Sequence, residues 1–143
     1  MAVNIDRERL ILLVEDNEAD EELALRALRK GGVRSRVTVV RDGEEAIQFL
    51  FGDEASPLPD LVLLDLKLPR LSGHDVLRRV RADARTEMLP VVILTSSSEH
   101  EDVRRSYKVG ANSYVRKPIE SEQFTAAVRQ LGLYWLTINE PAF

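Results

Sequence analysis

The chain has 143 residues, 44% of them hydrophobic, with no cysteine, two histidines and a formal net charge of −4. This is one domain's length with enough apolar content for a core, and it excludes disulfides, Cys-ligated zinc, thiol catalysis and a His-rich metal centre. No basic run marks a nucleic-acid or anionic-membrane footprint, no apolar run approaches the ~18 residues of a membrane span, and Met1 to Arg9 has no signal-peptide core, so a cytoplasmic protein is expected.

Leu10-Ile11-Leu12-Leu13-Val14 is apolar without alternation, the pattern of a parallel strand buried on both faces. Glu15-Asp16 follows. Asn17 is a candidate N-cap, and Asp20 and Glu21 suit a helix's first turn. Leu23, Ala24, Ala27 and Leu28 give that helix one apolar face, and Gly31-Gly32 stops it. Val37 to Val40 is a β-branched strand flanked by Arg36 and Arg41. Asp42 with Glu45 resembles a capping box, and Ala46, Ile47 and Leu50 are the buried side of a short helix. Phe51 to Asp60, with Pro57 and Pro59, reads as a loop.

Leu61-Val62-Leu63-Leu64 is a second fully apolar strand, and Asp65 ends it. Ser72 with Asp75 is another capping-box pattern. Val76, Leu77 and Val80 face the core, and Arg78, Arg79 and Arg81 read as a solvated face. His74 and His100 read as surface residues. Pro90 leads into Val91 to Leu94, a strand that ends at Thr95. Ser98 with Glu101 forms a third capping-box pattern, and the helix after it runs to Gly110. Ser113-Tyr114-Val115 is a short strand, followed by Lys117-Pro118. Phe124, Val128 and Leu131 mark the last helix, and a loose tail closes the chain. Five strands alternating with five helices imply right-handed βαβ units and a parallel sheet covered on both faces.

The C-terminal ends of such strands share one edge, which faces the ligand crevice. Here they carry Glu15, Asp16, Asp65, Thr95 and Lys117. Asp65 alone is either a loop cap or chemistry. Three carboxylates in one crevice need a counter-charge, and Mg²⁺ with oxygen ligands supplies it. With a hydroxyl and an ammonium nearby, the parts match phosphoryl transfer, with Asp65 as the nucleophile forming an aspartyl-phosphate.

Glu15-Asp16, Asp65 with Pro69 and Gly73 after it, Thr95, Tyr114 and Lys117-Pro118 resemble a response-regulator receiver domain of two-component signalling, over residues ~10 to 132. The resemblance implies a flavodoxin-like (βα)5 fold with strand order 2-1-3-4-5. It implies that Asp65 takes phosphate from a phosphohistidine on a partner histidine kinase. Asp16, Asp65 and the backbone carbonyl of Lys67 would ligate Mg²⁺, with Glu15 helping through water. Thr95 and Lys117 would engage the phosphoryl group, Tyr114 would be a rotameric switch, and the Lys117–Pro118 bond would be cis. Lys67 and Ser97 hold the two positions that tune phosphoryl lifetime in the family. Lys67 either screens the in-line water with its stem or steers it with its charge, and both readings stand.

No effector domain follows the receiver pattern, so a stand-alone receiver is expected, with residues 133–143 as a C-terminal extension. The Phe51 to Asp60 loop and the Leu133-Tyr134-Trp135-Leu136 tail resemble stand-alone receivers that serve phytochrome-type histidine kinases. An apolar aromatic tail marks an interface unless it folds back on its own helix. Homodimerisation through the fourth helix, fifth strand, fifth helix and Tyr134, Trp135 and Leu136 is the expectation.

Other classes fit less well. A flavin or nucleotide binder of the same fold needs a Gly-rich phosphate loop, and neither G-x-G-x-x-G nor G-x-x-x-x-G-K-[ST] occurs. An aspartate-nucleophile phosphatase of the haloacid-dehalogenase type wants a second Asp where this chain has Lys67. A degenerate receiver is opposed by the intact acidic set. Within the receiver class, terminal output and intermediate phosphate carrier both remain open.

Overall fold

Strands without polar alternation need both faces covered, and Leu61–Leu64 and Val91–Thr95 are buried along their whole length. A computed structural model describes residues 7–30, 34–53, 56–118 and 120–142. In order these form β1 (Arg9–Val14), α1 (Glu18–Arg29), β2 (Ser35–Val40), α2 (Gly43–Phe51), β3 (Leu61–Leu64), α3 (Gly73–Arg81), β4 (Val91–Thr95), α4 (His100–Val109), β5 (Ser113–Arg116) and α5 (Ser121–Leu133). A π-helical turn, Tyr134–Ile138, continues α5. The strands pair in parallel in the order β2-β1-β3-β4-β5, the flavodoxin-like order expected.

Strand side chains alternate between two cores, as the period of two requires. Leu12, Val14, Val62, Leu64 and Ile93 meet Ala46 and Leu50 of α2 and Val76, Leu77 and Val80 of α3. Ile11, Leu13, Leu61, Leu63, Val92 and Leu94 meet Ala24, Ala27 and Leu28 of α1 and Phe124 and Val128 of α5. The expected helix starts hold at α1, α2 and α3. Asn17 accepts from Asp20 N at 3.0 Å, Asp42 from Glu45 N at 2.8 Å, and Ser72 and Asp75 form a reciprocal capping box. Gly31 and Gly32 lie outside the described residues.

Several expectations are corrected. α4 begins at His100 after Glu99, with no side-chain cap, so Ser98 with Glu101 is not a capping box. The neighbouring Ser97 hydroxyl is used instead, donating to Asp102 at 2.5 Å and accepting weakly from Glu99 N at 3.4 Å. No peptide bond among the described residues is cis, so Lys117–Pro118 is trans. Trans is the lower-energy isomer even before proline; Lys117 N itself donates to Thr95 O at 2.7 Å.

His74 is not a surface residue. It is 5% exposed and its Nε2 lies 2.9 Å from Ser106 Oγ, joining α3 to α4. The Ser106 hydroxyl donates to Asp102 O, so His74 Nε2 carries the proton and donates. Burial, then the Arg105 charge, holds this imidazole below its ordinary 6.5. A depressed base contributes stability above its unfolded pKa and loses it as pH falls. Stability contributed here is therefore expected to fall as pH drops below 6.5, and His74→Gln, which keeps an N–H donor, flattens that slope in urea midpoints taken from pH 7 to pH 5.

Arg81 is likewise no part of a solvated face. Its guanidinium donates to the carbonyls of Gly110, Glu87 and Leu89 and to Asn112 Oδ1, at 2.8–2.9 Å. The same Asn112 oxygen accepts from Val91 N, so Arg81 stitches the end of α3 to the end of α4 and to the segments that lead into β4 and β5. Arg81→Ala strands these acceptors and is expected to cost about 2 kcal/mol, read as a fall in the urea midpoint at constant m.

The tail folds back on its own molecule. Leu136 is 5% exposed within the α1–α5 core, and Arg9 Nε donates to its carbonyl at 3.2 Å. Trp135 packs against the same cluster, its ring edge-on to Tyr134. Leu136 is thus a core residue, whereas Leu133, Tyr134 and Ile138 are exposed.

Candidate functional site

The acidic residues are brought together by strand order. β1 and β3 are paired neighbours, with Val14 opposite Leu64, so Glu15-Asp16 and Asp65 leave the sheet side by side. β4 and β5 continue the row and deliver Thr95 and Lys117 to the same edge. Behind Asp65, Gly73 lies so close that an added Cβ would sit 2.2 Å from the Asp65 carbonyl oxygen. Any side chain there would push the β3–α3 loop off the site, a physical reason for the glycine.

Glu15, Asp65 and Thr95 are 2%, 8% and 0% exposed. Asp16 is exposed at the mouth. Oxygens of Glu15, Asp16 and Asp65 lie within 4.8 Å of one another. Thr95 Oγ1 donates to Asp65 Oδ1 at 2.7 Å, and Lys67 N approaches the same oxygen at 3.3 Å. Lys117 Nζ stands 2.9 Å from Asp65 Oδ2, 2.5 Å from Glu15 Oε1 and 2.9 Å from Asp20 Oδ2.

The electrostatics follow from this crowding. Burial pushes Glu15 up from 4.5 to about 7, against the opposing pull of Lys117. Burial acts on Asp65 in the same sense, but Lys117 and the Thr95 hydroxyl outweigh it and hold the carboxyl below 3.8. Lys117 is disfavoured by burial, yet its three carboxylate partners raise it well above 10.5. Asp65 is therefore an anion at neutral pH, held in place by a permanent cation. Three carboxylates with oxygens this close suit a hard divalent cation, which takes oxygen ligands and few of them from protein.

Tyr114 and Ser97 adjoin this centre without touching Asp65. The Tyr114 hydroxyl donates to the Ser97 carbonyl at 2.7 Å, and burial raises its pKa above 10. The Ser97 hydroxyl is committed to Asp102 of α4. The Lys67 side chain is exposed. Tyr134 and Trp135 lie at the other end of β1, near Arg9, and take no part in the site.

Two residues here escape a reading of the sequence. Asp20 reads as a first-turn helix carboxylate, yet it reaches Lys117 across 97 positions. Its spacing of four from Asp16 is the available signal. Asp102, in the first turn of α4, carries no reading from the sequence, and it accepts from Ser97 five positions earlier.

A phosphoryl-accepting signalling module is the class that this fold and edge define: a buried, anionic carboxylate at the end of β3 with a hydroxyl, an ammonium and two further carboxylates around it. Residues 11–129 match the response regulator receiver domain, and the chain belongs to that family. It is similar to a probable methanogenesis regulatory protein, FilR2, of Methanothrix harundinacea, at 41% identity over 91% of this chain and 85% of that one. It is also similar to response regulator Rcp1 of Synechocystis, at 36% identity over 94% of both chains, a protein for which a Mn²⁺-bound structure exists. The solved phosphorylated cyanobacterial phytochrome response regulator RcpA superposes with a TM-score of 0.90, at 35% identity, over 96% of this chain and 100% of that one. The bacteriophytochrome response regulator AtBRR is 45% identical, with a TM-score of 0.71, over 94% of this chain and 99% of that one.

Proposed function

We propose that this chain is a single-domain response regulator that takes a phosphoryl group from a phytochrome-type histidine kinase onto Asp65. The observation that carries the reading is the Asp65 carboxylate itself, anionic and flanked by Thr95 Oγ1 at 2.7 Å and Lys117 Nζ at 2.9 Å. An Asp65 oxygen attacks phosphorus, the P–N bond to the kinase histidine breaks, and the imidazole leaves with the electron pair. Asp16, Asp65, the Lys67 carbonyl and, through water, Glu15 would hold Mg²⁺, which would supply charge neutralisation for the phosphoryl oxygens. Lys117 pairs with one of those oxygens, and Thr95 exchanges its bond to Asp65 for another.

Phosphate adds about two negative charges at the strand ends and biases an existing two-state equilibrium. Movement of Thr95 opens room for Tyr114, whose hydroxyl leaves Ser97, and the α4–β5 surface changes. Lys67 and Ser97 set the lifetime of the phosphoryl group, Lys67 from solvent and Ser97 through Asp102. Output is protein–protein binding, with homodimerisation through α4, β5, α5 and the exposed Tyr134 beside Trp135. Receiver residues ~10 to 132 form the core of this unit and 133–143 extend it. Among the described residues no helix is long and apolar enough to cross a membrane; a cytoplasmic location belongs to the proposal.

Similarity to RcpA and AtBRR supports the phytochrome pathway, while FilR2 shows that comparable receivers carry other names. Labelled phosphate on the histidine of a phytochrome-type kinase is expected to move to this chain in Mg²⁺ and not in EDTA. Transfer from phosphoramidate but not from that kinase rejects the pathway alone. Transfer from neither rejects Asp65 as the phosphoacceptor.

A further inference from the structure

Lys117 meets three carboxylates, and one of them stands apart from the acidic cluster. Its ammonium has three N–H donors and three partners, Glu15, Asp65 and Asp20, at 2.5–2.9 Å. The lysine side chain is 8% exposed, so the protein provides most of its polar surroundings. Glu15 and Asp65 belong to the set of oxygens within 4.8 Å of one another, and Asp20 does not. Asp20 sits in the first turn of α1, where its own N–H donates to Asn17 Oδ1 at 3.0 Å. Its carboxylate is therefore fixed by a capped helix rather than a loop.

An ammonium on Glu15 and Asp65 competes with any divalent cation that uses the same oxygens. For that cation to bind, the ammonium must shift, and a buried charge shifts only toward another counter-charge. Asp20 is the one that already holds it. We propose that Asp20 is a positioning residue that keeps the Lys117 ammonium in the site while drawing it off Glu15 and Asp65, so that one cleft carries both Lys117 and Mg²⁺. This rests on the reading of Asp65 as a Mg²⁺-dependent phosphoacceptor.

Mg²⁺ alone is the probe, titrated calorimetrically into the whole chain as wild type, Asp20→Asn, Lys117→Ala and the double variant. Direct attraction between Asp20 and Mg²⁺ is the same with or without Lys117, so the difference between backgrounds isolates the part that acts through the lysine. Asp20→Asn is expected to weaken Mg²⁺ by about tenfold where Lys117 is present, and by about twofold or less where it is absent. Asp20→Glu, which keeps the charge, restores affinity and covers the case of an unstable Asp20→Asn. Losses that differ by less than about fivefold between the two backgrounds overturn the proposal. A wild type that binds no Mg²⁺ overturns the phosphoacceptor reading as well, while intact wild-type binding with no Asp20 effect overturns this inference only.

Discussion

Asp65→Asn is expected to abolish phosphoryl uptake while leaving the fold in place. The amide is neutral and cannot form the acyl phosphate, so transfer from kinase or phosphoramidate falls by at least about a hundredfold. Shape is nearly unchanged: the amide oxygen of the substituted side chain still accepts from Thr95 Oγ1 and faces Lys67 N, the contacts Asp65 makes at 2.7 and 3.3 Å. What is lost is the anion that Lys117 and Thr95 keep below its ordinary pKa of 3.8. A depressed carboxyl contributes stability above its unfolded pKa and loses it on acidification, so the variant is slightly less stable at neutral pH and less sensitive to acid. Beryllofluoride titration followed by NMR, with Mg²⁺ present, measures the first effect. Binding to the Asp65→Asn variant at wild-type affinity would sink the assignment.

Glu15→Gln is expected to stabilise the Mg²⁺-free protein and to weaken its metal binding. Glu15 is 2% exposed, and burial lifts its pKa from 4.5 to about 7. A raised carboxyl binds its proton more tightly in the folded state, so its ionisation opposes folding. The sign is opposite to that of Asp65. Stability contributed by this residue declines as pH rises from 4.5 to about 7 and then levels off. At pH 8 the glutamine variant is expected to be more stable by about 3 kcal/mol, and at pH 4 the two proteins converge. Saturating Mg²⁺ erases the advantage, because the cation binds the wild-type carboxylates and stabilises by mass action. Urea midpoints at the two pH values, with EDTA or Mg²⁺, measure all three statements. On this expectation the carboxylates that would hold a cation also carry a stability cost, a trade common at functional centres.

Residues contiguous in the chain are legible without coordinates. Leu10 to Val14, Leu61 to Leu64 and Val91 to Leu94 declare buried parallel strands, because a sheet covered on both faces tolerates no polar alternation. Asn17, Asp42 and Ser72 declare helix starts, since a cap acts within three residues. Alternation of these elements then places the strand ends together, which is why Glu15, Asp16, Asp65, Thr95 and Lys117 can be grouped without a single distance. The receiver resemblance adds the order 2-1-3-4-5.

What only the tertiary structure decided are the partners of polar side chains and the surface that covers the tail. Arg81 reads as solvated from its helix face, and it binds the ends of two other elements instead. His74 reads as a surface residue, and Ser106 on α4 claims it. Leu136 reads as part of an interface, and the α1–α5 core takes it. Asp20 reads as belonging to its own helix, and Lys117 reaches it. Burial of an apolar residue inside a strand or helix follows the periodicity of its own segment, which the sequence records directly, whereas the short tail turn around Leu136 has no such period to read. A hydrogen bond or ion pair depends on angles and distances of an ångström between elements far apart in the chain, and no local pattern encodes those.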